Sequence, residues 1–187
     1  MESRLPPGQE WIEGLIVYDI APVPALDLAD FRLRVDGEVE HPLELPWDEF
    51  LKLPQAEVVA DFHCVTRWSV PGLRWGGVLA RTIVELCRPR EGVAWVMAYG
   101  REGYSTNVPY EYFVRGDTIL AHKLNGNPLP KEHGWPLRLV VPSLYAWKSA
   151  KYLVRLEFVR DKRRGYWEAR GYHDIGDPWR EERRWTP

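Results

Sequence analysis

The alternation of apolar and polar positions divides the chain into many short extended segments and few helices. Phe31-Arg32-Leu33-Arg34-Val35 alternates with the period of two of a half-buried strand. Asp36-Gly37 follows as a tight-turn signal, and Glu38-Val39-Glu40 reads as the start of a return strand. Pro46 and Pro54 bracket a short predicted helix. Residues 56–62 predict a strand that runs into a loop around Cys64. Gly76-Gly77 stands before a segment in which Leu79, Ile83 and Leu86 recur at helical spacing, which predicts a helix ending at Cys87. A thiol in that position is expected to pack as a small hydrophobe.

Further along, 93–99 predicts an apolar strand, 104–108 a short one and 109–114 a helical turn or two. Residues 119–121 are short and extended, and Asn125-Gly126 marks a turn. Residues 137–141 form a buried-type strand stopped by Pro142, and 152–159 alternates as a closing strand. From Asp161 onward the chain is rich in Arg, Trp and Gly and has no period, so it is expected to wrap the body irregularly. Many strands with few helices argue for an α+β fold with a mixed β-sheet core. Without a repeat or linker, residues 1–187 form one expected domain, with an N-terminal arm over 1–29 and a C-terminal wrapping tail over 161–187.

Charge sharpens this picture. The net charge is −2, but residues 1–60 carry 4 Lys+Arg against 13 Asp+Glu, and the remainder carries 21 against 14. The basic part suits an anionic ligand, or attraction to the acidic part. Nucleic acid is not the expected partner, because basic residues are interleaved with acids. No apolar run reaches the roughly 18 residues of a membrane span. The N-terminal residues lack a signal-peptide pattern, so a cytoplasmic location is expected. Two cysteines, Cys64 and Cys87, do not make a disulfide scaffold or a C-x-x-C zinc site.

Two regions carry candidate chemistry. Cys64 lies at a strand end, where a fixed backbone can present a thiol to a cleft. His63 and Arg67 would favour the thiolate, the form that ligates metals or attacks electrophiles. A buried structural thiol is the competing reading. The second region, 132–151, places His133, Arg138, Lys148 and Lys151 around a strand and its following loop. Such loops converge donors on an anion, with Arg suited to bidentate phosphate contact; solvated loop charge is the alternative. Near the C-terminus, His173, Asp174 and Asp177 are expected to form a hydrogen-bonded turn, since Gly and Asp-Pro dominate the segment.

The Cys64 window, the segment 120–130 and the stretch 133–151 together resemble the molybdopterin-binding domain of the sulfite oxidase superfamily, in its small bacterial single-domain subgroup. The tail segments 165–168 and 171–179 are similar to the end of that subgroup. The resemblance implies that the Cys64 thiolate ligates molybdenum beside the single dithiolene of a pyranopterin, and a soft sulfur ligand suits such a metal. It further implies cofactor contacts from His133, Arg138, Ala146, Trp147, Lys148 and Gly100, and more loosely from Tyr18 and Asp19. His63 and Arg67 would shape the cleft, with Arg67, Arg74 and Arg101 the candidates for holding an anionic substrate. Ser143 and Ala146 stand where the family often has glycine, and no haem or immunoglobulin-like domain is expected. The implied activity is two-electron oxygen-atom transfer, either sulfite oxidation or S-oxide or N-oxide reduction, with an unidentified electron-transfer partner. A non-catalytic pterin-binding or assembly module and a cysteine-dependent hydrolase are the rival readings.

Overall fold

The computed structural model describes residues 5–185 and contains two sheets. In chain order the elements are β1 (Glu10–Trp11), β2 (Arg32–Gly37), β3 (Leu43–Pro46), α1 (Trp47–Lys52), β4 (Ala56–His63), β5 (Trp68–Leu79) and α2 (Ala80–Cys87). There follow β6 (Trp95–Gly100), β7 (Ser105–Pro109), α3 (Tyr110–Phe113), β8 (Ile119–Leu124), β9 (Asn127–Pro128), β10 (Arg138–Val140) and β11 (Leu153–Val159). Short 3-10 turns complete the chain, including 146–148 and, in the tail, 168–170 and 178–180.

One sheet runs β3-β2-β11-β6-β7, with β2 and β11 parallel and the other pairs antiparallel. Leu33 and Val35 of β2 face inward at about 0–1% exposure, as the alternation predicts. The expected return strand at 38–40 does not form. The Glu38 amide donates to Phe158 O (2.8 Å), and Val39 bridges Pro89. The chain therefore continues past the edge of β11, and β3 is the antiparallel return.

The other sheet is built on β5, which pairs with β1, β4 and β8; β8 in turn pairs with β9 and β10. β5 is not legible in the sequence as one strand, because Pro71-Gly72 and Gly76-Gly77 read as breakers. In the fold Pro71 is exposed, and the register shifts between Gly76 and Gly77 where β8 comes closest. A Cβ on Gly77 would lie 2.8 Å from Ala121 Cα, so only glycine admits β8 there. The helix signal is met just beyond, by α2, which buries Ala80, Ile83 and Cys87.

The larger core joins Leu33, Val35, Ile83, Leu139, Leu156 and their neighbours. A smaller cluster holds Phe62, Cys64, Trp68, Trp75 and Val140. Cys64 thus lies at the rim of the smaller core, where β4 turns into β5.

Candidate functional site

The β4–β5 turn fixes Cys64. Its N–H donates to Trp68 O (2.9 Å), its carbonyl accepts from Arg67 N–H (3.1 Å), and Arg67 takes a left-handed φ of 79°. The buried Gln9 amide then donates to Cys64 O (3.0 Å), Trp68 O (2.8 Å) and Ser69 Oγ (3.0 Å). Arg183, from the tail, donates to Val65 O (2.7 Å) and to Gln9 Oε1 (2.9 Å). Three distant segments therefore hold one thiol. Neither Gln9 nor Arg183 carries a motif, because contacts to backbone carbonyls at remote positions leave no local signature.

The Cys64 side chain is 6% exposed and opens onto a cavity of about 440 Å³. Its Sγ lies 3.1 Å from Thr66 Oγ1. Burial pushes the thiol up, and the Thr66 hydroxyl, the Thr66 and Val65 amides and the Arg183 charge draw it part-way back. His63 and Arg67, expected to supply positive charge, are directed elsewhere. His63 stays off the cavity wall, its Nδ1 is 2.8 Å from Ser69 Oγ, and burial lowers its pKa toward the neutral ring. Arg67 turns toward Gly8 O (3.5 Å) and away from the cavity. Arg74 pairs with Glu57 (3.0 Å) on an exposed face.

A second wall carries Arg138, on β10. It is 4% exposed and donates to His133 O (3.0 Å) and Ser149 O (3.0 Å). Its guanidinium lies over Phe62 (5.3 Å) and Trp75 (5.1 Å), and burial pulls its pKa down to about 10. Among the described residues no carboxylate lies within 4.0 Å of it. A buried cation without a counter-charge is costly, and an anion in the cavity supplies one.

His133, Tyr18, Asp19, Ala146 and Trp147 line the same cavity. Asp19 accepts from Lys151 Nζ (2.6 Å) and Tyr152 OH (3.2 Å), which ties the N-terminal arm to the cavity wall. Trp147 is held by the Tyr104 hydroxyl at its carbonyl and by its own Nε1 donating to Glu168 Oε1 (3.0 Å). Lys148 departs from expectation. It is fully buried, and its Nζ donates to Asn107 Oδ1 (2.5 Å) and O (2.7 Å), Glu168 Oε1 (2.8 Å) and Asp174 O (2.6 Å). Its side chain anchors the tail and leaves the cavity. Gly100 also stays off the wall, behind Glu102.

The tail adds Trp167 and Tyr172 to the wall, with Tyr172 5.0 Å edge-on to Trp147. The 173–177 segment is the expected hydrogen-bonded turn. His173 Nδ1 accepts from the amides of Ile175 (3.1 Å) and Gly176 (3.2 Å). Asp174 accepts from Lys162 and Arg164, and Asp177 caps 178–180.

The cavity suits a ligand that carries an anionic group and also meets a cysteine sulfur. Known relatives say which. Residues 20–167 match the family described as the oxidoreductase molybdopterin binding domain. The chain is 40% identical over 182 residues to the uncharacterized oxidoreductase YuiH of Bacillus subtilis, covering 97% of this chain and 92% of that one. It is 28% identical to the protein-methionine-sulfoxide reductase catalytic subunit MsrP of Campylobacter jejuni, over 79% of this chain and 55% of that one. It is 28% identical to the sulfite oxidase of Gallus gallus, over 81% of this chain and 39% of that one. Among solved structures, the sulfane dehydrogenase SoxCD of Paracoccus pantotrophus superposes with a TM-score of 0.65 at 26% identity, covering 74% of this chain and 40% of that one. The chain spans nearly all of YuiH but only a third to somewhat over half of the sulfite oxidase and sulfoxide reductase relatives.

The chain belongs to the oxidoreductase molybdopterin-binding domain family and is a sulfite oxidase-like molybdopterin oxidoreductase with the corresponding α+β fold. Its residues fit the cofactor: a buried thiol is a soft donor type, and the Arg138 guanidinium has no carboxylate partner among the described residues, a set that suits a metal-bound, phosphorylated group. No helix of the described residues is long and apolar enough to cross a membrane.

Proposed function

We propose that this oxidoreductase performs two-electron oxygen-atom transfer on a small sulfur-containing substrate, with Cys64 as the protein's thiolate ligand to molybdenum. The observation that carries the reading is that Cys64 and Arg138, distant in sequence, line one cavity. A bound molybdenum–dithiolene centre supplies the oxygen-atom exchange itself. The chain's own residues bind and orient. Thr66 donates a hydrogen bond that stabilises the Cys64 thiolate. Arg138 holds the phosphate, with His133 and Lys151 beside it. The aromatic rings of Trp147, Trp167 and Tyr172 shield the sulfur end from water.

The overall reaction is either reduction of an S-oxide or N-oxide, with two electrons and two protons giving the reduced compound and water, or oxidation of sulfite with water to sulfate, releasing two electrons and two protons. Relatives named as a sulfite oxidase and as a methionine-sulfoxide reductase support both directions. An electron-transfer partner, and residence in the cytoplasm, belong to the same proposal. A hydrolytic role for Cys64 has less support, because its sulfur meets Thr66 and His63 stays off the cavity wall.

The test uses protein from a host that makes molybdopterin. Metal and pterin content and dye-coupled turnover of a methyl sulfoxide and of sulfite are measured for the native chain and for Cys64→Ser. The expected result is stoichiometric molybdenum, turnover of at least one substrate, and on the order of a hundredfold loss or more in the variant. Full turnover by metal-loaded Cys64→Ser protein overturns the ligand assignment. Stoichiometric cofactor without reaction toward any sulfur or nitrogen substrate favours a pterin-binding module instead.

A further inference from the structure

Residues 168–185 lie beyond the stretch that matches the family, yet they contribute Tyr172 to the cavity wall. Four aromatic rings connect the cavity to this tail. Trp147 meets Tyr172 edge-on at 5.0 Å, Tyr172 stacks on Trp167 at 5.0 Å, and Trp167 meets Tyr166 edge-on at 5.0 Å. Burial raises the Tyr172 phenol, the charge of Arg184 opposes the rise, and that of Cys64 adds to it. The ring therefore stands within electrostatic reach of the sulfur.

Two surface cations sit on these rings. The exposed Arg184 guanidinium lies over Tyr172 (5.6 Å), and the exposed Arg170 guanidinium lies over Tyr166 (3.6 Å). Neither is in an ion pair among the described residues. Lys162 and Arg164 share one carboxylate, Asp174 (2.5 and 3.1 Å), which leaves one positive charge over. Both also lie 5.3 Å from the ring of Trp185, whose N–H donates to Gly171 O (3.1 Å) beside Arg170. The opposite charge prevails in residues 1–60, with 13 Asp+Glu against 4 Lys+Arg.

The rate of electron exchange between proteins falls steeply with distance, so a carrier has to dock where little protein covers the cofactor. At Tyr172 a single ring lies between a surface cation and the cavity. Cations around that ring attract a negatively charged partner, while the acidic part of the chain repels it, and together they orient the encounter. We propose that the tail face bearing Arg170 and Arg184 docks an acidic one-electron carrier protein, which exchanges electrons with the cofactor across the Tyr172 wall. Two encounters supply the two electrons of one S-oxide reduction, or remove the two released by one sulfite oxidation. The proposal rests on the oxidoreductase reading above and names the class of its electron partner and the place where that partner docks.

The experiment uses cofactor-loaded native chain, Arg170→Glu with Arg184→Glu, and a control of equal net charge, Arg81→Glu with Arg90→Glu, whose positions are exposed and off the cavity wall. Fully reduced flavodoxin is the acidic probe carrier, and stopped-flow absorbance follows its oxidation by each protein. At low salt the Arg170/Arg184 variant is expected to react about tenfold or more slowly than the native chain, and the control within about twofold of it. The difference is expected to vanish at about 0.5 M salt, where charges are screened over a few ångströms. Viologen-driven turnover, molybdenum and pterin content are expected to match the native chain in both variants.

Equal slowing in the Arg170/Arg184 variant and the control overturns the proposal, since net charge alone would then account for it. An Arg170/Arg184 variant that reacts with flavodoxin at the native rate overturns it as well, and so does a native rate that does not fall with salt. If basic cytochrome c re-oxidises the viologen-reduced variant more slowly than the native protein, the change is structural and the proposal fails. Binding of anionic vesicles or a DNA duplex through these arginines, with flavodoxin inert, assigns the face to another partner. A loaded native chain that viologen cannot reduce overturns the oxidoreductase reading together with this one, whereas a viologen-reducible chain indifferent to flavodoxin overturns this one alone.

Discussion

Arg138 is held in the interior by two backbone carbonyls and two aromatic rings, with no carboxylate partner among the described residues. Arg138→Met keeps most of the buried volume and removes the charge. It is expected to lower the pterin-to-protein ratio by about 10- to 100-fold, the range of a lost charge-assisted contact, as read by fluorescence of the oxidised pterin. Glu102 gives a pH signature in the cofactor-free protein. Its carboxyl titrates near 7 in the fold against an ordinary 4.5, so the unfolded chain releases this proton first. The stability it contributes is complete below pH 4.5 and is lost as pH rises toward 7. The melting temperature of cofactor-free protein is expected to fall across that window more steeply than that of Glu102→Gln. Parallel melting curves for the two proteins would refute the assignment of this titration. At this scale the sequence singles out Cys64 and Arg138 by residue type and setting, and both line the cavity. It could not show that His63 stays off the cavity, since that depends on where β4 ends, or that Glu102 Oε2 lacks a donor, since that depends on what surrounds it.

The β4–β5 hairpin and the β6–β7 turn present the site, and their precision depends on close strand approach. At Gly77 the β8 backbone occupies the space of a side chain. Gly77→Val favours strand by propensity, yet it is expected to destabilise by about 1–3 kcal/mol through overpacking, measured by urea unfolding. Period-two alternation locates β2 and β11 well, and short strand-like runs locate β4 and β6. β5 escapes it because glycine and proline mark both loops and bulges, and only a neighbouring strand distinguishes them. The return to β2 lies later than the pattern predicts for a related reason: Asp36-Gly37 permits a tight hairpin, but β11 claims the next amide.

Across the whole molecule the tail is a structural component of the pocket. Glu168 and the Asp174 carbonyl meet Lys148 in the interior, while Trp167 and Tyr172 line the cavity and Arg183 grips the Cys64 turn. Lys148→Met leaves Glu168 buried without its cation and is expected to cost about 3–5 kcal/mol, whereas Lys148→Met with Glu168→Leu should recover much of it, both by denaturant unfolding. Lys148 reads as an anion ligand because a lysine beside a basic loop has the same local sequence whether it points to ligand or core. What the sequence determined alone is what short-range pattern encodes: strand periodicity, the α+β class, and a thiol and a guanidinium as candidates for chemistry. What only the tertiary structure decided is which side chains share the cavity. That choice depends on contacts between residues as far apart as Gln9, Cys64 and Arg183, whose energies depend on burial and on partners that no local window contains.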